Sequence, residues 1–517
     1  MSQEPKNSGT SQATSDNTSS EENNNSTGGL DRRRFLQTAG AGLVSMALLG
    51  LTPACTQPPT DGDGGNPDGK TPTDPQDKVD PTTFDKAKAL TKDPASIKEG
   101  KTLFPLTVQA GILTSSSAWV WGYTTDDKPK TLRIWREDSD KKLYEAVHKK
   151  LTPAEGYFKH KVEPLAPGTW YFYGFFDGEN QRSAIGRFRT ALVEGSKKPL
   201  TIAATACTKF GNMPYTSMST TADFDYDMFL HLGDFSYNDP ARNKKDYREL
   251  WRRTLADPGY KAALSKAGMY VTWDDHEIIN NDKWDTISKQ HYKDGVDSFF
   301  EHTITERIEG DRFWNSYVWG DTAEIFVLDC RSERKYETRK TDDPIYISKE
   351  QMAWFKKALS ESKAHFKIVM NSVPITDWTG TAMASISADD RWQGYPKQRE
   401  EILKHITDNK ISNVWWITGD FHLSTVNKID AEGPYSSMYE IMVGPGGNGN
   451  PLWPIYQAQP QVARDEQFPP DRFPFFGGDY SATLMTFDPI DNSVRVKFVH
   501  HKTKKVLFDQ KISQKKA

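Results

Sequence analysis

Trp273-Asp274-Asp275-His276-Glu277 follows directly on the apolar run at 268–272, so a strand pattern ends abruptly in three carboxylates and an imidazole. Similar endings lie on either side. One is His231-Leu232-Gly233-Asp234-Phe235-Ser236-Tyr237, and the other is Trp416-Ile417-Thr418-Gly419-Asp420-Phe421-His422. Strands that finish in hard oxygen and nitrogen donors, far apart in sequence, are how a parallel sheet gathers a metal centre at its carboxyl edge. Two further runs, 200–206 and 366–370, end in Cys207 and Asn371. Each ending alone is weak, since a strand-terminal Asp usually caps a helix or forms a turn and a lone Cys is a small hydrophobe. Their recurrence at successive strand ends is what points to a site.

Around these blocks, residues 198–512 alternate apolar strand runs with stretches of helical spacing, at 247–255, 288–303, 349–360 and 395–407. Alternation of that kind predicts a layered α/β domain with a largely parallel core sheet. Late runs at 480–487, 493–499 and 505–510 read as antiparallel strands that complete a second sheet. Residues 95–192 read instead as all-β, with short aromatic and β-branched runs broken by turn residues. The Leu165-to-Tyr173 segment followed by Ser183-to-Thr190 resembles the last hairpin of a fibronectin type III-like sandwich. Its aromatics read as core rather than as a carbohydrate platform.

The N-terminus reads as an address. Residues 1–30 are Ser-, Asn- and Glu-rich and are expected to be disordered. Arg32-Arg33-Arg34-Phe35-Leu36 and a short apolar stretch at 39–51 resemble a bacterial twin-arginine export signal. Leu51-Thr52-Pro53-Ala54-Cys55 resembles a lipoprotein cleavage box, with its Leu one place early and an unusual Pro53. Lipidation of Cys55 would tether the chain without spanning a bilayer. A Pro-, Gly- and Asp-rich spacer over 56–94 separates residues 1–55 from the folded part; Asp61-Gly62-Asp63-Gly64 within it lacks the flanking helices and twelfth-position Glu of a calcium loop. The expected organisation is therefore 1–55 signal region, 56–94 linker, 95–192 β-sandwich and 198–512 catalytic domain, in an exported protein, periplasmic or at the cell surface.

Composition agrees. A chain of 517 residues is too long for one core, and 15 Trp, 20 Tyr and 26 Phe supply material for more than one. A formal net charge of −4 offers no basic footprint, so nucleic acid is not an expected partner. No apolar run reaches the roughly 20 residues of a lasting membrane span. Cys207 and Cys330 are not expected to pair, because a protein of this size needs no disulfide staple.

Taken together, the strand endings resemble the alkaline phosphatase D family of the calcineurin-like metallophosphoesterases. The blocks that carry the resemblance are Ala206-Cys207, Gly233-Asp234-Phe235-Ser236-Tyr237, Trp273 to Glu277, Asn371 and Gly419-Asp420-Phe421-His422, with Leu328-Asp329-Cys330-Arg331 and Asp390 to Pro396 beside them. The resemblance implies a four-layer α/β/β/α sandwich behind the fibronectin-like domain. It also implies hydrolysis of phosphate esters, mono- or diester, by metal-activated water. Cys207, Asp234, Tyr237 and His422 would hold one metal; Asp234 would bridge to a second held by Asp275, Asn371 and Asp420. A thiolate and a phenolate favour Fe3+, and a sulfur-free carboxylate and amide set favours Ca2+ or another hard divalent ion. His276 corresponds to the residue that protonates the leaving group, the alternative being support of a ligand carboxylate. Arg331 would fork onto phosphate oxygens, the alternative being an ordinary surface pair. Rivals to a general phosphoesterase are a phospholipase D-type phosphodiesterase and a surface lipoprotein that binds calcium without catalysis. The glycine-rich 444–450 stretch is either a lid or a plain turn.

Overall fold

The computed structural model describes residues 73–514, apart from 281–283, 285 and 379–387. The export signal, Cys55 and most of the spacer lie outside the described residues. Two mixed sheets carry the catalytic half. The first has nine strands and includes the parallel set Leu200–Thr205, Met228–Leu232 and Gly268–Thr272; the second has seven and includes the parallel set Ala323–Val327, Phe366–Asn371 and Val414–Thr418.

The period-two alternation of side chains explains why the sheets stack. In the second sheet Ile325, Val327, Ile368, Met370, Trp415 and Ile417 join the core shared with the first sheet. Their neighbours Phe326, Val369, Val414 and Trp416 instead join Phe355, Leu359, Leu403 and Ile406 of the covering helices Lys349–Glu361 and Pro396–Asp408. A strand buried on both faces is largely apolar, which is why these runs lack polar alternation. The first sheet is covered on its other side by Lys244–Leu255 and Lys289–His302, which contribute Trp251, Leu255, Val296 and Phe299 to the core. The result is a four-layer α/β/β/α sandwich. The helices begin where the sequence supplies caps: Asn243 Oδ1 accepts from the amides of Lys245 and Asp246, and Ser348 Oγ accepts from that of Gln351.

Three features differ from the sequence reading. The late strands Ser481–Asp488, Ser493–His500 and Val506–Ile512 extend the first sheet, because Ser481–Asp488 pairs antiparallel with the open edge of Leu200–Thr205. Alternation alone cannot say which edge a strand takes. The N-terminal sandwich shares a layer with the catalytic half: Gly111 pairs in parallel with Met269, so Gln109–Gly111, Ala118–Tyr123 and Tyr157–Val162 prolong the nine-stranded sheet. Its opposite layer is a six-stranded sheet, and the stacked Phe158 and Phe175 rings join the two. Finally, the spacer ends sooner than expected. Asp85 is buried and accepts from Arg136 Nε at 2.6 Å and from the Tyr171 hydroxyl at 2.9 Å.

His302 links the sandwich to a catalytic helix. Its Nδ1 lies 2.7 Å from the Ser298 carbonyl, so Nδ1 carries the proton and Nε2, at 2.8 Å, accepts from the Tyr157 hydroxyl. Burial pushes its pKa from 6.5 down to about 3. The unfolded chain therefore takes a proton that the folded chain refuses. This stability is complete above the unfolded value and is lost as pH falls below it, by about 2 kcal/mol near pH 5. We expect the thermal midpoint to drop more steeply between pH 7.5 and 5 in the parent than in His302→Gln, as read by calorimetry; equal slopes would contradict this.

Candidate metal centre

The expected strand ends meet at the carboxyl edges of the two stacked sheets. One donor atom each from Cys207, Asp234 and His422 lies within 4.8 Å of the others; the same holds for Asp234, Asp275 and His276, and for Asp274, Asp275 and Asp420. Asp234 belongs to two of these groups, and so does Asp275. The Tyr237 hydroxyl is 2.9 Å from Asp234 Oδ2 and 3.5 Å from His422 Nε2, which puts it in the first group.

The backbone is strained to achieve this. Cys207, Asp234, Asp420 and His422 all have left-handed φ, at 59°, 55°, 65° and 55°. Non-glycine residues in that region cost roughly 1–3 kcal/mol each and collect at functional sites. Gly233 allows the Asp234 and Asp274 loops to touch, since a Cβ there would lie 2.5 Å from Asp274 Cβ. Glu277, fully buried, then fastens them: its carboxylate accepts from the amides of Asp234 at 3.1 Å and Asp274 at 2.8 Å, and from that of Phe235. Glu277 thus holds two ligand loops without facing the cleft.

Electrostatics explain why a cation belongs here. Burial pushes Asp274 well above the usual carboxylate range and raises Asp275, and the neighbouring carboxylates add to both shifts. Burial lifts Asp420 to about 6 although Arg331 and Arg391 oppose it. The Cys207 thiol and Tyr237 phenol are pushed up by burial and then by the Asp234 charge. Asp234 itself stays below its ordinary value, because His276, His422 and the Tyr237 hydroxyl outweigh its burial. Asp274 Oδ2 is buried with no hydrogen-bond partner among the described residues. Crowded, desolvated anionic donors of mixed oxygen, nitrogen and sulfur type suit a polyvalent cation.

Not every expected residue is placed as expected. Asn371 ends its strand beside the cluster, but its Oδ1 already accepts from Trp392 Nε1 at 3.1 Å and the Cys330 thiol at 2.8 Å. Arg331 is not a surface pair. Its side chain is buried; Nε lies 2.5 Å from Asp274, Nη1 2.6 Å from Asp390, and Nη2 3.5 Å from both Asp275 and Asp420. A guanidinium out of water needs carboxylates around it, and these hold it inside the acidic cluster. Cys207 and Cys330 are both free.

The model of the PhoD-like phosphatase family matches residues 202–467, and that of the PhoD-like phosphatase N-terminal domain matches 89–192. The chain belongs to the PhoD-like phosphatase family. It is a metal-dependent phosphoesterase, a hydrolase of phosphoric ester bonds. It is 25% identical over 409 residues to alkaline phosphatase D of Bacillus subtilis (strain 168), covering 67% of this chain and 70% of that one. A solved structure of PhoD superposes with a TM-score of 0.66 at 21% identity, over 80% of this chain and 89% of that one. The purple acid phosphatase PPD1 of yellow lupin (Lupinus luteus) shares the fold, with a TM-score of 0.55 at 14% identity over 79% of this chain and 74% of that one.

Two residues of this PhoD-like phosphatase escaped the sequence reading. Asn448, in the glycine-rich turn, donates to the Tyr237 hydroxyl at 2.9 Å and lies 3.2 Å from His422 Nε2. That turn is a pinned element: the amides of Gly446 and Gly447 bond the carbonyls of Ala206 and Cys207 at 2.7 and 2.9 Å. Asp239 lies 2.8 Å from His276 Nδ1 through both carboxylate oxygens. An Asn within a glycine run and an Asp two residues past Tyr237 carry no ligand signature of their own.

Proposed function

We propose that the protein is an exported, lipid-anchored phosphoesterase that cleaves phosphomonoesters and phosphodiesters at a two-metal centre built around Asp234. The observation that carries this reading is that Asp234 offers donor atoms within 4.8 Å of those of Cys207 and His422 on one side and of Asp275 on the other. Cys207, Asp234, Tyr237 and His422 would hold Fe3+. Asp234, Asp275 and Asp420 are the donors for Ca2+ or a similar hard divalent ion, with Asn371 at its border. When bound, the metals supply the Lewis acidity that makes water a nucleophile at neutral pH and that offsets charge on the phosphoryl oxygens.

The chain's own residues do the rest. Asp234 would be a ligand common to both positions. Arg331 tempers the repulsion among Asp274, Asp275 and Asp420, and so acts through the ligands. His276 stands at the edge of the cleft with Nε2 4.0 Å from Asp275 and Nδ1 held by Asp239. Without metals, burial works to lower its pKa, but Asp275, Asp234 and Asp239 raise it; of these, Asp239 is not among the donors of the two metals and stays on Nδ1. It gives a proton to the departing alkoxide oxygen.

Incubation of purified protein with p-nitrophenyl phosphate and with its bis-ester tests the reaction. Turnover of at least one ester, lost on chelation and restored by metal, is expected; no turnover at full metal occupancy would leave only a metal-binding lipoprotein. An iron centre ligated by a phenolate gives a visible charge-transfer band that weakens in Tyr237→Phe, and a colourless active enzyme would remove iron from the proposal.

Support for export and anchoring comes from Arg32-Arg33-Arg34-Phe35-Leu36, the short apolar stretch after it and Cys55. Cys55→Ala should shift the protein from the membrane to the soluble fraction, and an unchanged distribution would count against the anchor.

A further inference from the structure

The glycine-rich stretch 444–450 meets the loops that carry Cys207 and His422. Pro445 bridges to Ala206, and the amides of Gly446 and Gly447 donate to the carbonyls of Ala206 and Cys207 at 2.7 and 2.9 Å. Glycine is needed for that approach, since a Cβ at 446 would lie 2.5 Å from Thr208 Cγ2. Asn450 is buried and donates through Nδ2 to the Phe421 carbonyl at 2.9 Å, between Asp420 and His422. Its Oδ1 accepts from the amide of Leu452 at 2.9 Å, so both ends of that side chain are spent on main chain. The Asn212 side chain holds the Gly447 carbonyl at 2.7 Å, and the Gly444 amide donates to the Thr483 hydroxyl at 2.9 Å. A main chain fixed on both sides of residue 448 aims that side chain.

Asn448, unlike Asn450, ends on candidate metal donors. Its Nδ2 donates to the Tyr237 hydroxyl oxygen at 2.9 Å and lies 3.2 Å from His422 Nε2. Those two atoms are 3.5 Å apart, a separation that two bonds of about 2.1 Å to one cation allow. An imidazole nitrogen that holds a cation has no lone pair left to accept a hydrogen bond. A phenolate oxygen keeps lone pairs beside the one it gives. In the loaded centre the Asn448 N–H therefore has one acceptor of the two, the phenolate oxygen. Hydrogen bonds to a charged oxygen are among the strong ones, and partners of this kind tune a metal as well as orient its ligands.

Resting on the metal centre proposed above, we infer that Asn448 is a positioning residue that acts on the ion through Tyr237, by donating a hydrogen bond to the phenolate oxygen and so limiting the charge that oxygen gives to the metal. An ion that receives less charge from its ligands is the stronger Lewis acid, which is the property that hydrolysis uses. Removing the donor returns charge to the phenolate. The trivalent state gains from that charge more than the divalent state does, so the preference for Fe3+ over Fe2+ rises.

The test charges the full chain with Fe3+ and follows the phenolate charge-transfer band by potentiometry in the parent, Asn448→Leu and Asn448→Asp. Leu keeps the branched shape of Asn without its N–H, and Asp keeps the shape and adds a charge. The side chain is only partly buried, so the fold should tolerate both. The preference for Fe3+ over Fe2+ should rise about tenfold in Asn448→Leu, a midpoint potential lower by about 59 mV for one electron. It should rise further in Asn448→Asp, with the band displaced and the Fe3+ content of the parent retained in both. A change below about twofold in both variants overturns the proposal. So does loss of Fe3+ from Asn448→Leu but not from Asn448→Asp, which would make residue 448 a ligand through its side-chain oxygen. A parent that takes up Fe3+ and shows no such band removes Tyr237 from the donors, and that result faults the metal centre itself.

Discussion

Asp234→Asn is expected to remove hydrolysis almost completely, by roughly a thousandfold or more, and to lower the content of both metals together. Asn is the substitution that isolates the charge. It nearly matches Asp in size, and it tolerates the left-handed φ of 55° at this position better than other residues. The amides of Asp234 and Phe235 can still reach Glu277, so the loop keeps its anchor. What disappears is the one carboxylate that faces Cys207 and His422 on one side and Asp275 and His276 on the other. Single-sided ligands should behave differently. Cys207→Ser should deplete the metal beside Tyr237 and spare the other; Asp420→Asn should do the reverse. Metal analysis of the three variants alongside kcat checks the pattern. An Asp234→Asn protein with the parent's metal content and rate would sink the shared-ligand arrangement.

The sequence carried most of this architecture because the physics at strand ends is local. A run buried on both faces is largely apolar, and a donor needed at the carboxyl edge has to follow it directly. Hence Asp234, Asp275 and Asp420 stand out in the chain, and the core strands they follow lie within a residue or so of where the patterns put them. What stayed hidden is non-local. Alternation in 481–488 reports a half-buried strand and says nothing about pairing with Leu200–Thr205. The side-chain carbonyl of Asn371 accepts from Trp392, 21 residues onward, and from Cys330, 41 residues back. Arg331 gives no sign in the chain of Asp274 and Asp390, which hold two of its nitrogens. Asn448 and Asp239 become visible only through the partners that the fold delivers to them.

For His276 the decisive quantity is how the loss depends on the leaving group. Its Nδ1 is fixed by both oxygens of Asp239 at 2.8 Å and its ring packs on Tyr237 with centroids 3.9 Å apart, so Nε2 keeps one direction, toward Asp275 and the cleft. A group so held, with the Asp239 carboxylate behind its Nδ1, is placed to donate in the step that breaks the ester bond. An alkoxide cannot leave without that proton, whereas p-nitrophenolate can. His276→Asn should therefore slow glycerol phosphate hydrolysis by about 10²- to 10⁴-fold and p-nitrophenyl phosphate hydrolysis by less than about tenfold. Asp239→Asn, which retains a hydrogen bond to Nδ1 but removes the charge, should fall between parent and His276→Asn on the alkyl ester. The alternative role, orienting Asp275 as a ligand, predicts something else: equal losses on both esters, accompanied by metal loss. Steady-state rates on the two esters with metal content measured in parallel separate these outcomes, and a uniform decline would reassign His276 from proton donor to ligand support.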